Sequence, residues 1–123
     1  MLLEPIKILV VDDDPTLTKL LHTKLVEHGY EVATAKDGEE ALAKYLDFRP
    51  GLIILDILMP KMDGYTFVRE IKTRKDAQEI PIIVLTAKQR MAELFKLEGI
   101  QDYIVKPYQI NDLLEKVQKH LQS

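Results

Sequence analysis

The chain has 123 residues, no cysteine, and 17 Lys+Arg against 20 Asp+Glu, a net charge of -3 at pH 7. That length suits one domain with one core, and the missing thiol excludes disulfides, thiolate catalysis and cysteine-based metal sites. Mild acidity without a basic run gives no reason to expect direct nucleic-acid or membrane-surface binding, and apolar runs of only strand length leave a soluble cytoplasmic protein as the expectation.

Residues 6–11 read as an apolar run, the pattern of a parallel strand covered on both faces, and end in Asp12-Asp13-Asp14. Asp14 then suits a helix N-cap, with Pro15 at the first helical position. Leu17, Leu20, Leu21 and Leu25 follow at helical spacing, and Gly29 is the expected stop. Residues 30–35 alternate apolar and polar, as an edge strand does. A second helix is predicted over 38–47, with Ala41, Leu42 and Tyr45 inward. The third strand, 52–56, runs from four apolar residues straight into Asp56. A helix over 65–74 is expected to bury Phe67, Val68 and Ile71, followed by a strand over 81–85. A fourth helix is predicted over 89–98, with Gly99 ending it, and a short fifth strand over 102–105. Ile110, Leu113, Leu114, Val117 and Leu121 form the apolar stripe of a fifth helix. Strands alternating with helices predict an α/β fold with a five-stranded parallel sheet and five helices. No repeat or interdomain linker is visible; residues 1–123 read as a single domain with no output domain.

In an open parallel sheet, ligands bind beyond the carboxyl ends of the strands. Asp12 and Asp13 fall there after the first strand, Asp56 at the end of the third, Thr86 after the fourth and Lys106 after the fifth. Carboxylates are hard oxygen ligands for Mg²⁺ and can be nucleophiles toward phosphorus. Lysine brings a point charge for a phosphoryl oxygen, and the threonine hydroxyl a hydrogen bond. Each residue also has an ordinary reading: a helix cap for Asp14, a solvated lysine, a turn threonine. Gathered at one edge they are harder to read that way, because three carboxylates together repel unless paired.

The combination of Ile8-Leu9-Val10-Val11-Asp12-Asp13-Asp14, Leu55-Asp56-Ile57-Leu58-Met59-Pro60-Lys61-Met62-Asp63-Gly64, Val84-Leu85-Thr86-Ala87 and Asp102-Tyr103-Ile104-Val105-Lys106-Pro107-Tyr108 resembles the response-regulator receiver domains of two-component signalling. The resemblance covers essentially the whole chain. It implies a doubly wound, flavodoxin-like sheet of order 2-1-3-4-5; the chemotaxis receiver is a standard example of that order. It implies that Asp56 accepts a phosphoryl group from a phosphohistidine on a sensor histidine kinase or a histidine phosphotransfer protein. Asp13, Asp56 and the Leu58 carbonyl would bind Mg²⁺ (or Mn²⁺) directly, and Asp12 through water. Thr86, Lys106 and the backbone amides of Ile57 and Ala87 would bind the phosphoryl oxygens. Tyr103 matches the switch aromatic, and Lys106-Pro107 the family's cis peptide. The resemblance further implies a signalling domain, rather than an enzyme acting on a separate substrate, that assists its own phosphorylation and dephosphorylation. Its output face would be built from helix four, strand five and helix five. That face leaves open a homodimer; the downstream protein target is unknown.

Two departures stand out. The stretch from Thr86 to Lys106 is somewhat shorter than is common in the family, with Gly99-Ile100-Gln101-Asp102 replacing a Gly-Ala-Asp-Asp pattern, and Gly51 stands where Asp is frequent. The first puts the shape of helix four in question and motivates a rival reading, an interaction module that works without phosphate. A phosphatase of similar topology is another rival, but such enzymes carry a second Asp two residues after the nucleophile, where this chain has Leu58. His22, His28 and His120 share no metal-site spacing, Asp63 suits a turn, and Tyr108 suits packing or a partner surface.

Overall fold

A computed structural model of the chain describes residues 4–56, 64–74, 80–87 and 100–121. In chain order these form β1 (Lys7–Val11), α1 (Pro15–Glu27), β2 (Glu31–Ala35), α2 (Gly38–Phe48), β3 (Leu52–Asp56), α3 (Gly64–Lys72), β4 (Ile82–Ala87), β5 (Asp102–Lys106) and a C-terminal helix (Ile110–Leu121). All neighbouring strands pair in parallel, in the order β2-β1-β3-β4-β5. The α/β fold with a parallel sheet read from the alternation, and the doubly wound strand order that the resemblance implied, are therefore present. Four of its five helices are described; the one expected over 89–98 lies outside the described residues. Among the described residues no helix is long and apolar enough to cross a membrane.

The two-residue period of the strands sorts the interior into two layers. Leu9, Val11, Ile53, Leu55, Ile82 and Val84 point to one face and pack with Ala41 and Tyr45 of α2 and Phe67, Val68 and Ile71 of α3. Ile8, Val10, Leu52, Ile54, Ile83, Leu85 and Ile104 point to the other, against Leu21 and Leu25 of α1 and Leu113, Leu114 and Val117 of the C-terminal helix. Covering on both faces explains why β1 and β3 read as near-continuous apolar runs.

Local chemistry sets the helix ends. Asp14 caps α1: its side chain accepts from the Thr16 and Leu17 amides at 2.9 and 3.3 Å, with Pro15 in the first turn. His28 closes that helix, and Gly29, at φ +92°, makes the left-handed exit that the backbone needs. Asp37 caps α2 by accepting from the Glu40 amide at 2.8 Å. Replacing Asp14 by Ala removes acceptors for two α1 amides, so a loss of about 1 kcal/mol is expected in urea unfolding. Asn at that position should retain most of the stability.

Several boundaries differ from the sequence expectation. β4 continues to Ala87 and β5 to Lys106, because Thr86 pairs with Val105 and Ala87 with Lys106 across the two strands. Thr86 is thus the penultimate residue of β4 and Lys106 the last of β5, and neither follows its strand. Ile6 lies outside β1 and is 42% exposed, and Leu20, expected on the inner stripe of α1, is 45% exposed. Leu21 and Leu25, a helical turn apart, hold the inner face instead. At Gly51 an added Cβ would meet only ordinary van der Waals contacts, so the absent Asp at that position leaves no strain to explain.

Candidate functional site

β1 and β3 are neighbours, so their carboxyl ends bring Asp12 and Asp56 side by side. Alternation puts Asp12, Asp56 and Lys106 in phase with Val10, Ile54 and Ile104, on the sheet face covered by α1 and the C-terminal helix. Thr86 and Tyr103 are in phase with Val84, on the opposite face. The site therefore straddles the sheet edge.

Asp12 is 1% exposed and Asp56 9%, whereas Asp13 faces solvent. One carboxylate oxygen from each of the three lies within 4.8 Å of the others. The Lys106 ammonium reaches over from β5 and pairs with Asp56 Oδ2 at 3.2 Å and Asp12 Oδ2 at 3.5 Å. Asp12 Oδ1 accepts from the Asp14 amide at 3.0 Å, so both its oxygens are engaged. Even so, burial raises the Asp12 carboxyl to about 6, the Asp14 amide opposing and the nearby Asp56 charge adding to it. Burial by itself would lower Lys106, but the Asp12 and Asp56 charges outweigh it and hold the ammonium above its ordinary value. The pocket thus concentrates negative charge that one lysine only partly offsets.

A cluster of hard oxygen donors with one exposed member suits a small divalent cation that keeps part of its water. Zinc-type chemistry is a poor fit, since the cluster has no sulfur or imidazole.

Thr86 is 1% exposed, and its hydroxyl donates to the Ala87 carbonyl at 3.3 Å. Tyr103 is 38% exposed, so its ring is not folded into the pocket. The Lys106–Pro107 peptide is cis. Ile57 and Leu58, expected to supply backbone groups, lie outside the described residues, as does Asp63.

Two features were not expected from the sequence. Tyr108 packs, in line with the sequence reading, with the layer formed by α1 and the C-terminal helix, but its hydroxyl is buried without a hydrogen-bond partner. Away from the pocket, Asp102 at the start of β5 accepts from Lys116 at 2.9 Å and pairs with His120 Nε2 at 3.0 Å, tying that strand to the C-terminal helix. Burial opposes ionisation of Asp102, but these partners win and lower its carboxyl below the usual range.

The family described as "Response regulator receiver domain" matches residues 8–118. Among curated proteins, the probable transcriptional regulator ycf27 of Cyanophora paradoxa is 44% identical over 117 residues, covering 94% of this chain and 48% of that protein. The chain spans about half the length of the curated relatives it matches. Among solved structures, the response regulator TrrA of Thermotoga maritima, in complex with Mg²⁺ and BeF, is 40% identical with a TM-score of 0.82, covering 94% of this chain and 98% of that one. The receiver domain of a sensor histidine kinase from Pseudomonas aeruginosa, with magnesium in its active-site cleft, is 30% identical with a TM-score of 0.87, covering 98% and 100%. With the fold, the acidic edge and a family match over most of its length, this chain belongs to the response regulator receiver domains, the signalling domains of two-component systems.

Proposed function

We propose that this receiver is the phosphoacceptor of a two-component phosphorelay, with Asp56 taking the phosphoryl group from a phosphohistidine. The observation that carries the reading is the Lys106 ammonium bridging the Asp56 and Asp12 carboxylates at the sheet edge. An Asp56 oxygen would attack phosphorus, the bond from phosphorus to the donor imidazole nitrogen would break, and the imidazole would leave with its electron pair and be protonated. Lys106, already within reach of Asp56, would follow the charge onto the new phosphoryl oxygens. Thr86 would exchange its bond to the Ala87 carbonyl for a bond to one of those oxygens. Ala87 at the end of β4, and Ile57, would supply backbone amides.

Asp13 and Asp56, with the Leu58 carbonyl, would hold Mg²⁺ or Mn²⁺, and Asp12 would act mainly through water. When bound, the cation neutralises charge shared between the carboxylates and the incoming phosphoryl group. The TrrA and Pseudomonas relatives, which hold magnesium, support this placement. Tyr103, exposed here, would turn inward as Thr86 moves. The face built from residues 89–98, β5 and the C-terminal helix would then change its affinity for a protein target or a second copy. The donor would be a sensor histidine kinase or a histidine phosphotransfer protein, in the cytoplasm. The domain would assist gain and loss of its own phosphoryl group without turning over a separate substrate.

With Mg²⁺ and a small phosphodonor, the protein should gain one phosphoryl group that hydroxylamine removes, read by intact mass. No gain, or a gain stable to hydroxylamine, would count against an acyl phosphate. Leu58 has no group to orient an attacking water, so slow self-dephosphorylation is expected. Leu58→Asn should shorten the phosphoryl lifetime several-fold, and an unchanged lifetime would exclude that role for the position.

A further inference from the structure

β2 stands at one end of the sheet, and no strand among the described residues pairs with its outer side. The hydrogen bonds to β1 fix which of its groups face outward. The Glu31 amide donates to the Ile6 carbonyl at 2.9 Å, and the Ala35 carbonyl accepts from the Asp12 amide at 3.0 Å. With Lys7 opposite Glu31 and Val11 opposite Ala35, residues 31, 33 and 35 turn their backbone groups toward β1. The two-residue period then turns the N–H and C=O of Val32 and Thr34 outward. They form a short open ladder, with neither proline nor a charged side chain between Glu31 and Lys36 to blunt it.

Beside that ladder lies a cavity of about 180 Å³, lined by Thr34 of β2 and by Thr18, Lys19 and His22 of α1. Val32 packs on the α1 face, so Thr34, two residues on, points the same way. The cavity is rich in donors and has no carboxylate in its lining. Thr18 turns its hydroxyl to the Asp14 and Pro15 carbonyls, both at 3.1 Å. That leaves the Lys19 ammonium, the His22 ring and the Thr34 hydroxyl to serve a ligand. Lys19 and His22 are exposed, and among the described residues neither has an ion-pair partner.

We propose that the outer edge of β2 is a strand-addition site for an extended acidic segment of a partner protein. The segment's backbone would pair with Val32 and Thr34, and a glutamate or aspartate in phase with Thr34 would enter the cavity toward Lys19 and His22. In this mode backbone pairing supplies affinity and a side-chain cavity supplies the choice of sequence. Charge complementarity selects an acidic side chain, since a basic one would meet Lys19 with no carboxylate to receive it. A second copy of the chain fits less well: symmetric antiparallel pairing about Ala33 sets Val32 opposite Thr34 and brings no acid to the cavity. The site does not depend on the phosphoacceptor reading.

A short synthetic peptide of alternating threonine and serine with a central glutamate tests the proposal, against the same peptide with lysine at that place. In an NMR titration of the whole chain, the glutamate peptide should shift the Val32 and Thr34 amides and slow their exchange with solvent, because they gain acceptors. The Ala33 amide, already turned toward β1, should change little. Lys19→Gln, an exposed substitution that leaves the core untouched, should weaken the glutamate peptide about 5-fold, the upper range for one exposed ion pair. Unchanged Val32 and Thr34 amides would overturn the edge as a docking site. Equal affinity for the two peptides, or for wild type and Lys19→Gln, would overturn the acidic occupant. Protection of these amides that grows with protein concentration, without peptide, would assign the edge to a second copy and overturn the proposal as well.

Discussion

Asp56→Ala is expected to take up no phosphoryl group under conditions where the wild type takes up one. Asp13, Lys106 and Thr86 remain in the variant, so any residual labelling would reveal a second acceptor. The variant is expected to stay folded, because removing one of three gathered carboxylates relieves repulsion and leaves Lys106 paired with Asp12 at 3.5 Å. Circular dichroism and urea unfolding would show the variant folded, and intact mass would show it unmodified. Equal labelling of the two proteins would sink the assignment of Asp56, whatever else the pocket binds.

Asp12→Asn should raise metal-free stability at pH 7.5 while weakening the response to Mg²⁺. The Asp12 carboxyl is raised from 3.8 to about 6, chiefly by burial, so the folded state holds its proton more tightly than the unfolded chain does. Stability therefore falls as pH rises from about 4 through 6, and the full penalty applies above that. Two units at about 1.4 kcal/mol each give roughly 3 kcal/mol, reduced to about 2 because the neighbouring Asp13 is solvated. The shifts at Asp102 and Lys106 do not hide the effect. Asp102 is lowered, so its stabilisation is present above its unfolded value and is lost only as pH falls below about 4. Lys106 is raised, so its stabilisation is complete below about 10.5 and constant across this window. Asn still offers an oxygen to the Asp14 amide, which at present donates to Asp12 Oδ1 at 3.0 Å. In chelator, the wild type should be about 1 kcal/mol more stable at pH 5 than at pH 7.5, because the unfolded carboxyl is already ionised at pH 5, and the variant nearly flat. Added Mg²⁺ should raise the wild-type melting temperature more than that of the variant. Parallel pH profiles for the two proteins would refute the account.

The sequence made the layered sheet legible because both faces of β1 and β3 are covered, which requires apolar residues at successive positions. It made Asp12, Asp56 and Lys106 legible because each ends or directly follows an apolar strand. The end of β4 was hidden: Thr86 and Ala87 join the ladder through pairing with Val105 and Lys106, a long-range effect that local propensity does not carry. Leu20 was misplaced because adjacent leucines both satisfy a helical stripe, and only tertiary packing chooses Leu21. Tyr108 read as packing, which its ring does. Nothing in Lys106-Pro107-Tyr108 announces that the hydroxyl ends up buried without a partner.

The alternation that sends Asp12, Asp56 and Lys106 to one face and Thr86 and Tyr103 to the other gives the domain a division of labour. Under the proposed function, loading is written on the face that carries Asp12, Asp56 and Lys106 and is first sensed on the other face, by Thr86 and Tyr103. The sheet is the partition between the charged groups and their first reader, with Thr86 standing at its rim. Drift on one side can then retune how readily the site is charged without rewriting what the signal says. A single inserted or deleted residue within β4 ahead of Thr86 would do the reverse: it would leave every acidic group in place and turn the reader to the wrong side of the wall.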